Sequence, residues 1–150
     1  MINSVRLEKF QNLGVEFFER WKVKLSPDFL LYRPRYRFNL ETTHYRLTVA
    51  EKTPELLKLF KLRYQVFLNN DEDVAGGQVD VDAHDPLCDH IMIVDKKNNE
   101  IVGTYRLMCS DTEELFYSET EFQMEGFSSL PAKKLELGRA CIDPHHRNGQ

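Results

Sequence analysis

The sequence predicts an α+β fold with a mixed, mostly antiparallel sheet flanked by helices, and three observations support this class. A helical pattern that begins at a proline precedes the strands, two β-rich runs flank an Asn-Asn turn, and one more strand-like run follows. The chain has 150 residues, of which 41% are hydrophobic. This length and content suit one folded domain, or one domain with an N-terminal extension.

The N-terminal third is predicted to hold a helix, an irregular segment and a strand. The first 24 residues place apolar side chains at helical spacing, at Leu7, Phe10, Leu13, Phe17, Phe18 and Trp21. Residues 26–43 contain two prolines, which break that pattern, and three arginines between aromatic residues. Residues 44–50, HYRLTVA, are typical of a short strand.

A second helix and a hairpin are predicted next. Thr53, Pro54 and Glu55 supply an N-cap, a first-turn proline and an early acid, so we expect a helix from about Pro54 to Leu68. A loop rich in Gly and Asp covers residues 69–86. The runs HIMIVD and IVGTYRLM on either side of the turn KKNNE predict an antiparallel hairpin over residues 89–109.

The last predicted strand, KLELGRACI, covers residues 134–142 and follows a mixed stretch with a short helix at residues 116–127. Strict alternation places Leu135, Leu137, Arg139 and Cys141 on one face, and Glu136, Gly138, Ala140 and Ile142 on the other. Small residues beside Glu136 leave room for a ligand, and a partly desolvated glutamate can act as a base. A solvent-facing glutamate explains the pattern equally well, and a bulge would bring Arg139 to the side of Glu136.

Charge is distributed unevenly along the chain. Residues 1–46 carry nine Lys and Arg against five Asp and Glu, whereas residues 47–150 carry eleven against nineteen. A basic extension on an acidic domain indicates an acidic partner for the extension, such as a carrier protein or an anionic membrane. Binding of nucleic acid is not expected, because the remainder of the chain is acidic.

The sequence also bears on the cellular compartment. No run approaches the roughly 18 apolar residues of a membrane span, and the first ten residues lack the apolar core of a signal peptide. The three cysteines are odd in number and show no CxxC spacing, so we expect reduced and mostly buried thiols. These features predict a cytoplasmic protein.

The acidic loop raises the question of a metal ion, because crowded carboxylates are costly unless positive charge compensates them. The loop and the residues after it hold Asp71, Glu72, Asp73, Asp80, Asp82, Asp85 and Asp89. The order of acids does not match an EF-hand loop. A zinc site from His84, Asp85, Cys88 and His90 is conceivable, but no paired ligand spacing supports it, and we expect no metal site.

From about Leu62 to Gly149 the chain resembles the N-acyltransferase branch of the GNAT superfamily, which holds ornithine-lipid synthases and acyl-homoserine-lactone autoinducer synthases. Six pieces match in order: LRYQVF, VDVDAHD, DHIMIVD, EIVGTYRLM, FYSETEF and LELGRACIDPHHRNG. The run FYSETEF and the pattern Gly-Arg-x-Cys-x-x-Pro are typical of the ornithine acyltransferase (hemolysin-like) group. The autoinducer synthases share a sparser skeleton of charged residues.

The resemblance implies roles for named residues. A charged network would hold the amine acceptor, formed by Arg63, Asp82, Asp85, Arg106 and Arg139. We expect Asp82 and Asp85 to face the cleft of Arg106 and to contact an arginine of this network. Glu136 would take the proton as the amine attacks an acyl thioester, Phe67 would help to wall the cleft, and Cys141 would be core. A salt-bridged surface arginine remains an alternative for Arg63.

The resemblance also bears on the end of the chain. In such folds the fourth strand leads into a loop that receives the pyrophosphate of a pantetheine donor, and Arg147, Asn148 and Gly149 match the start of that loop. His145 and His146 are expected to be loop residues. The resemblance therefore implies a fold that is truncated after its fourth strand, and we expect the chain to divide into a basic extension, 1–46, and the N-terminal portion of a GNAT-like domain, 47–150.

The function that the resemblance implies is acyl transfer from acyl carrier protein to the amine of an amino acid, with ornithine as the best candidate. This would be a bacterial enzyme of lipid biosynthesis with no tightly bound cofactor, and its donor would be a pantetheine thioester, either acyl carrier protein or acyl-CoA. Two alternatives stay open: a coenzyme-A-dependent acetyltransferase, and a binding module without catalytic activity. Localisation would be cytoplasmic, with peripheral contact at the inner membrane face.

Overall fold

Five antiparallel strands form the sheet in a computed structural model that describes Phe29 and residues 31–68, 78–111 and 116–147. The strands follow one another across the sheet in chain order. They are β1 (Asn39–Glu41), β2 (Tyr45–Val49), β3 (Asp89–Asp95), β4 (Glu100–Cys109) and β5 (Leu135–Ile142). The predicted hairpin over residues 89–109 is confirmed as β3 and β4, and its second strand pairs with β5 as expected.

Helix α1 spans Thr53–Phe67, within one residue of the predicted range. The N-cap is Lys52 and not the predicted Thr53. The carboxylate of Glu55 accepts hydrogen bonds from the backbone N–H groups of Glu51, at 2.8 Å, and Lys52, at 3.0 Å. An early glutamate and a first-turn proline therefore begin the helix, as the sequence indicates.

The core lies between α1 and the sheet. Leu56, Leu59 and Phe60 of α1 are fully buried and pack with Met92 and Val94 of β3. Two aromatic residues from the N-terminal side, Phe29 and Tyr32, complete the same cluster. The division at residue 46 stays a prediction, but the described residues before it contribute to this core.

Strand β1 was not predicted from the sequence. It has only three residues, all of them exposed, and it pairs with β2 at the edge of the sheet. A segment this short has no measurable apolar periodicity, so its strand conformation depends on the neighbouring β2.

A bulge in β5 changes which side chains share a face. Thr104 of β4 pairs with Cys141, whereas Arg106 pairs with Gly138, so two residues of β5 lie opposite one residue of β4. Arg139 lies in the bulge with a φ of 49°, in the left-handed region. Strict alternation is therefore wrong beyond Gly138: Cys141 returns to the face of Glu136, and Leu135, Leu137, Ala140 and Ile142 lie on the other.

The stretch between β4 and β5 contains short helices, as the sequence indicates. A 3₁₀ helix spans Tyr117–Thr120, and α2 spans Glu125–Ser128. The helix predicted within the first 24 residues and the first half of the acidic loop, residues 69–77, lie outside the described residues. None of the helices in the described part of the chain is long and apolar enough to cross a membrane.

Candidate active site

A cleft opens where β4 and β5 meet the 3₁₀ helix Tyr117–Thr120. The cavity measures about 230 Å³. Its lining comes from two neighbouring strands and one turn: Arg106, Met108, Tyr117, Ser118, Glu136, Leu137, Gly138 and Arg139. Gly138 lies against Arg106 on the floor of the cleft: a Cβ there would lie 3.6 Å from Nε of Arg106, at ordinary van der Waals contact.

The deepest part of the site is a buried ion pair. Nη1 and Nη2 of Arg63 donate to the two carboxylate oxygens of Asp85 at 2.7 and 3.2 Å, and Nε donates to Asp80 at 2.9 Å. Both Arg63 and Asp85 are fully buried. Burial alone would lower the pKa of Arg63, but the charges of the two aspartates outweigh burial and raise it. Arg63 is therefore not a surface arginine, and all three of its nitrogens are engaged within the protein.

Two further contacts hold Asp85 in place. Its carboxylate accepts a hydrogen bond from the backbone N–H of Asp82 at 2.7 Å. Its carbonyl oxygen lies 2.9 Å from Nε2 of the buried His90. Burial lowers the pKa of His90, so the imidazole is neutral. These contacts anchor the loop that carries Asp82 to the end of the sheet.

Asp82 joins this buried pair to the cleft. Its carboxylate accepts hydrogen bonds from Nη1 of Arg106 at 2.6 and 2.7 Å, and from Nη2 of Arg139 at 2.9 Å. Burial raises the pKa of Asp82, but the charge and hydrogen bonds of Arg106, with the charges of Arg139 and Arg63, lower it to about 2. The expected carboxylate–guanidinium contacts of Asp82 and Asp85 are present, but neither aspartate is one of the residues that line the cleft. A role in acceptor binding stays a prediction.

Glu136 occupies one wall of the cleft. One oxygen, Oε1, accepts hydrogen bonds from the backbone N–H of Ser118 at 3.1 Å and from its hydroxyl at 2.7 Å. The other oxygen, Oε2, is buried and has no hydrogen-bond partner among the described residues. A carboxylate with one oxygen held and the other available suits a proton acceptor.

Tyr117 covers two arginines of the cleft and was not singled out from the sequence. Its ring centroid lies 5.7 Å from the guanidinium carbon of Arg106 and 5.8 Å from that of Arg139. Its hydroxyl donates to Glu121 at 2.6 Å, and this hydrogen bond, together with burial, raises the pKa of the phenol. The run FYSETEF is part of the family resemblance, but it shows no periodicity that would indicate which of its residues face the cleft.

Two predicted positions lie apart from this cluster. Phe67 is the last residue of α1 and 41% exposed, and it is not one of the residues that line the cleft. Arg147 is exposed after β5, and its Nε donates to the carbonyl of Ile142 at 3.0 Å. Asn148 and Gly149 lie outside the described residues, so the predicted donor loop stays a prediction. His145 and His146 belong to the short 3₁₀ helix Pro144–His146, which follows β5.

The cysteines do not supply a nucleophile to the cleft. Cys88, Cys109 and Cys141 are buried and form no disulfide bond, as the sequence predicts. Burial raises the pKa of Cys88 to about 12 and that of Cys141 to about 11, so both thiols stay protonated at neutral pH.

The described residues contain no group of three or more His, Cys, Asp and Glu side chains that could hold a metal ion. The conceivable zinc ligands have other partners: Asp85 binds Arg63, and the ring of His90 packs edge-on against Phe60.

A comparison of families identifies the class of domain to which this sheet and cleft belong. Residues 62–150, more than half of the chain, match the family described as acetyltransferase (GNAT) domain, and the chain belongs to that family. No solved structure matches it.

Individual curated proteins that are similar to the chain have a name that is more specific than that of the family. The chain is similar to the L-ornithine N(alpha)-acyltransferase of Rhodobacter capsulatus, with 31% identity over 121 residues, and to that of Rhizobium meliloti, with 34% over 124 residues. These alignments cover 70% and 73% of the chain but 46% and 40% of the relatives. The chain thus spans less than half the length of these relatives.

Proposed function

We propose that the protein transfers a fatty acyl group from a thioester to the α-amine of an amino acid, with ornithine as the acceptor. The observation that carries this proposal is the carboxylate of Glu136, a residue that lines a cleft bordered by arginines. One of its oxygens is held by Ser118, and the other is buried without a hydrogen-bond partner among the described residues. Membership of the GNAT family and the names of the relatives support acyl transfer to ornithine.

The acceptor would bind by charge. Arg139 is the most exposed arginine of the network, at 31% of its side chain, and Asp82 beside it is 23% exposed. A guanidinium recognises the carboxylate of an amino acid, and aspartate recognises an ammonium group. Arg63 and Asp85 are saturated by their mutual contacts and would support these groups without touching the acceptor.

Glu136 would make the amine nucleophilic. An ammonium group has no lone pair, so Oε2 of Glu136 accepts one proton before the nitrogen attacks the thioester carbonyl. The new N–C bond forms, the nitrogen loses a second proton, and the C–S bond breaks to release the thiol. One of the two protons goes to the leaving sulfur and the other to solvent. No covalent enzyme intermediate is needed.

The donor is proposed to be acyl carrier protein, with acyl-CoA as the alternative source of the same pantetheine thioester. Residues 1–46 are basic and would suit a strongly acidic carrier protein, or an anionic membrane that receives the product.

The test is an acyl-transfer assay with the full-length protein. Acyl carrier protein loaded with a fatty acyl group, acyl-CoA and acetyl-CoA are each offered with ornithine, and mass spectrometry detects the acylated amine. We expect product with the long-chain donors. Product from acetyl-CoA alone would assign the chain to coenzyme-A-dependent acetyltransferases, and no product from any donor would favour a binding module.

Glu136→Gln tests the mechanism within this assay. We expect turnover to fall by roughly 10²–10⁴-fold, the usual contribution of a positioned proton acceptor. The melting temperature should change little, because Gln keeps the size of the side chain. Glu125→Gln is the matched control, since Glu125 is exposed and lies outside the cleft lining. Wild-type turnover in Glu136→Gln would remove Glu136 from the mechanism.

A further inference from the structure

We infer that Ser118 is a positioning residue that aims Glu136 at the acceptor amine. This inference rests on the proposed function, because it assigns a task to a residue that touches the proposed base. Ser118 donates two hydrogen bonds to the same carboxylate oxygen, one from its backbone N–H at 3.1 Å and one from its hydroxyl at 2.7 Å. The two residues are 18 positions apart in the chain.

Two donors on one oxygen make the carboxylate asymmetric. With Oε1 held by Ser118, rotation of the carboxylate would break both hydrogen bonds, so the two oxygens are not equivalent. Oε2 is the oxygen that remains without a partner among the described residues, and Glu136 lines the cleft. Ser118 thereby selects which oxygen accepts the proton and fixes its direction.

The turn that carries Ser118 is itself anchored. Phe116, just before the turn, is buried in a small core cluster with Cys88 and Met108. The backbone N–H of Phe116 donates to the Glu119 carboxylate at 2.7 Å, and the hydroxyl of Ser128 donates to the same carboxylate. Because the turn is tied both to the core and to α2, the position of Ser118 relative to β5 is defined before any ligand binds.

The hydroxyl of Ser118 is the donor that a substitution can remove. A Ser118→Ala variant keeps the backbone donor and loses the hydroxyl donor. It therefore loosens the orientation of Glu136 without removing the base.

The experiment compares Ser118→Ala, Ser118→Thr and Glu136→Gln in the same ornithine acyl-transfer assay. We expect Ser118→Ala to lower kcat by roughly tenfold, the value of one hydrogen bond to a charged group, with the KM for ornithine little changed. Ser118→Thr, which restores a hydroxyl, should recover most of the lost kcat.

Thr120→Ala is the matched control, because Thr120 belongs to the same turn and donates its hydroxyl to the carbonyl of Tyr117 at 2.6 Å. It should leave both kcat and the KM for ornithine close to those of the wild type. A melting temperature for each variant separates a loss of orientation from a loss of folding.

Three outcomes would count against this role. Wild-type kcat in Ser118→Ala, with Glu136→Gln inactive, would overturn the positioning role and leave the base in place. A fall in kcat that Ser118→Thr does not recover and that the melting temperature parallels would mean a structural role. Full turnover in Glu136→Gln would overturn the proposed mechanism itself, and the role of Ser118 with it.

Discussion

Two ion pairs of the same chemical type lie at opposite ends of one charged network. Arg63 and Asp85 are 1% and 0% exposed, whereas Arg139 and Asp82 are 31% and 23% exposed. Asp85 and Asp82 both contact Arg106, so the two pairs are physically continuous. The difference between them is solvent access and not residue type.

The difference in solvent access indicates that the buried end of the network suits a structural role and that the partly exposed end suits ligand binding. A buried pair is costly to desolvate and becomes strongly destabilising when one partner is removed. A partly exposed pair exchanges its contacts with water and with ligands at a small cost. The buried pair would therefore stabilise the fold, and the partly exposed pair would bind the acceptor.

The largest expected effect is at the buried end. Arg63→Met keeps most of the apolar stem of the side chain but leaves Asp85 buried without its bidentate partner. We expect a loss of about 3–5 kcal/mol in the free energy of unfolding, measured by urea denaturation. Arg37→Met is the control, because the Arg37–Glu51 pair is 59% and 50% exposed and should cost under about 1 kcal/mol. Equal losses of stability in the two variants would mean that burial does not determine how much each ion pair contributes.

An effect of intermediate size on the stability of the fold is expected from the ionisation of Asp82. Its pKa is about 2 in the folded protein, below its ordinary value of 3.8. The depressed pKa stabilises the fold above about pH 4, and this contribution of about 2 kcal/mol is lost as the pH falls through about 2.

Urea denaturation at a series of pH values checks this, with Asp82→Asn as the reference. The difference in stability between wild type and Asp82→Asn should shrink as the pH falls from 4 toward 2. A difference that stays constant over that range would mean that the arginines do not act on Asp82 as the structure indicates.

The smallest expected effect is at the open end. Arg139→Ala removes a guanidinium whose side chain is 31% exposed, so the free energy of unfolding should change by less than about 1 kcal/mol. The KM for ornithine should rise by roughly tenfold, because the proposed charge-assisted contact to the acceptor is lost. Steady-state kinetics and a thermal melt measure the two effects. A loss of stability as large as that of Arg63→Met would mean that Arg139 also has a structural role.

Local signals explain why the main elements could be predicted from the sequence. Pro54 and Glu55 mark the start of α1, and the Asn98-Asn99 turn marks the hairpin, in which Asn99 has a φ of 59° that asparagine tolerates well. The charged residues of the site were also identified, through motifs that resemble a known family.

Alternation was a poorer guide to the faces of β5. A single bulge at Arg139 exchanges the faces of every residue after it, and nothing in the run LELGRACI marks that position. The bulge brings Arg139 to the same cleft as Glu136, which strict alternation places on the opposite face.

The sequence by itself determined the class of fold and the order of α1 and strands β2 to β5, because these depend on local propensity and periodicity. The residues of the charged network followed from motifs that resemble a known family. The tertiary structure alone decided that Arg63 and Asp85 are buried, that Phe67 lies outside the cleft lining, and that Tyr117 and Ser118 reach Arg106 and Glu136. Burial and contact depend on how distant segments pack, and a local pattern carries no information about the partner that lies across the sheet.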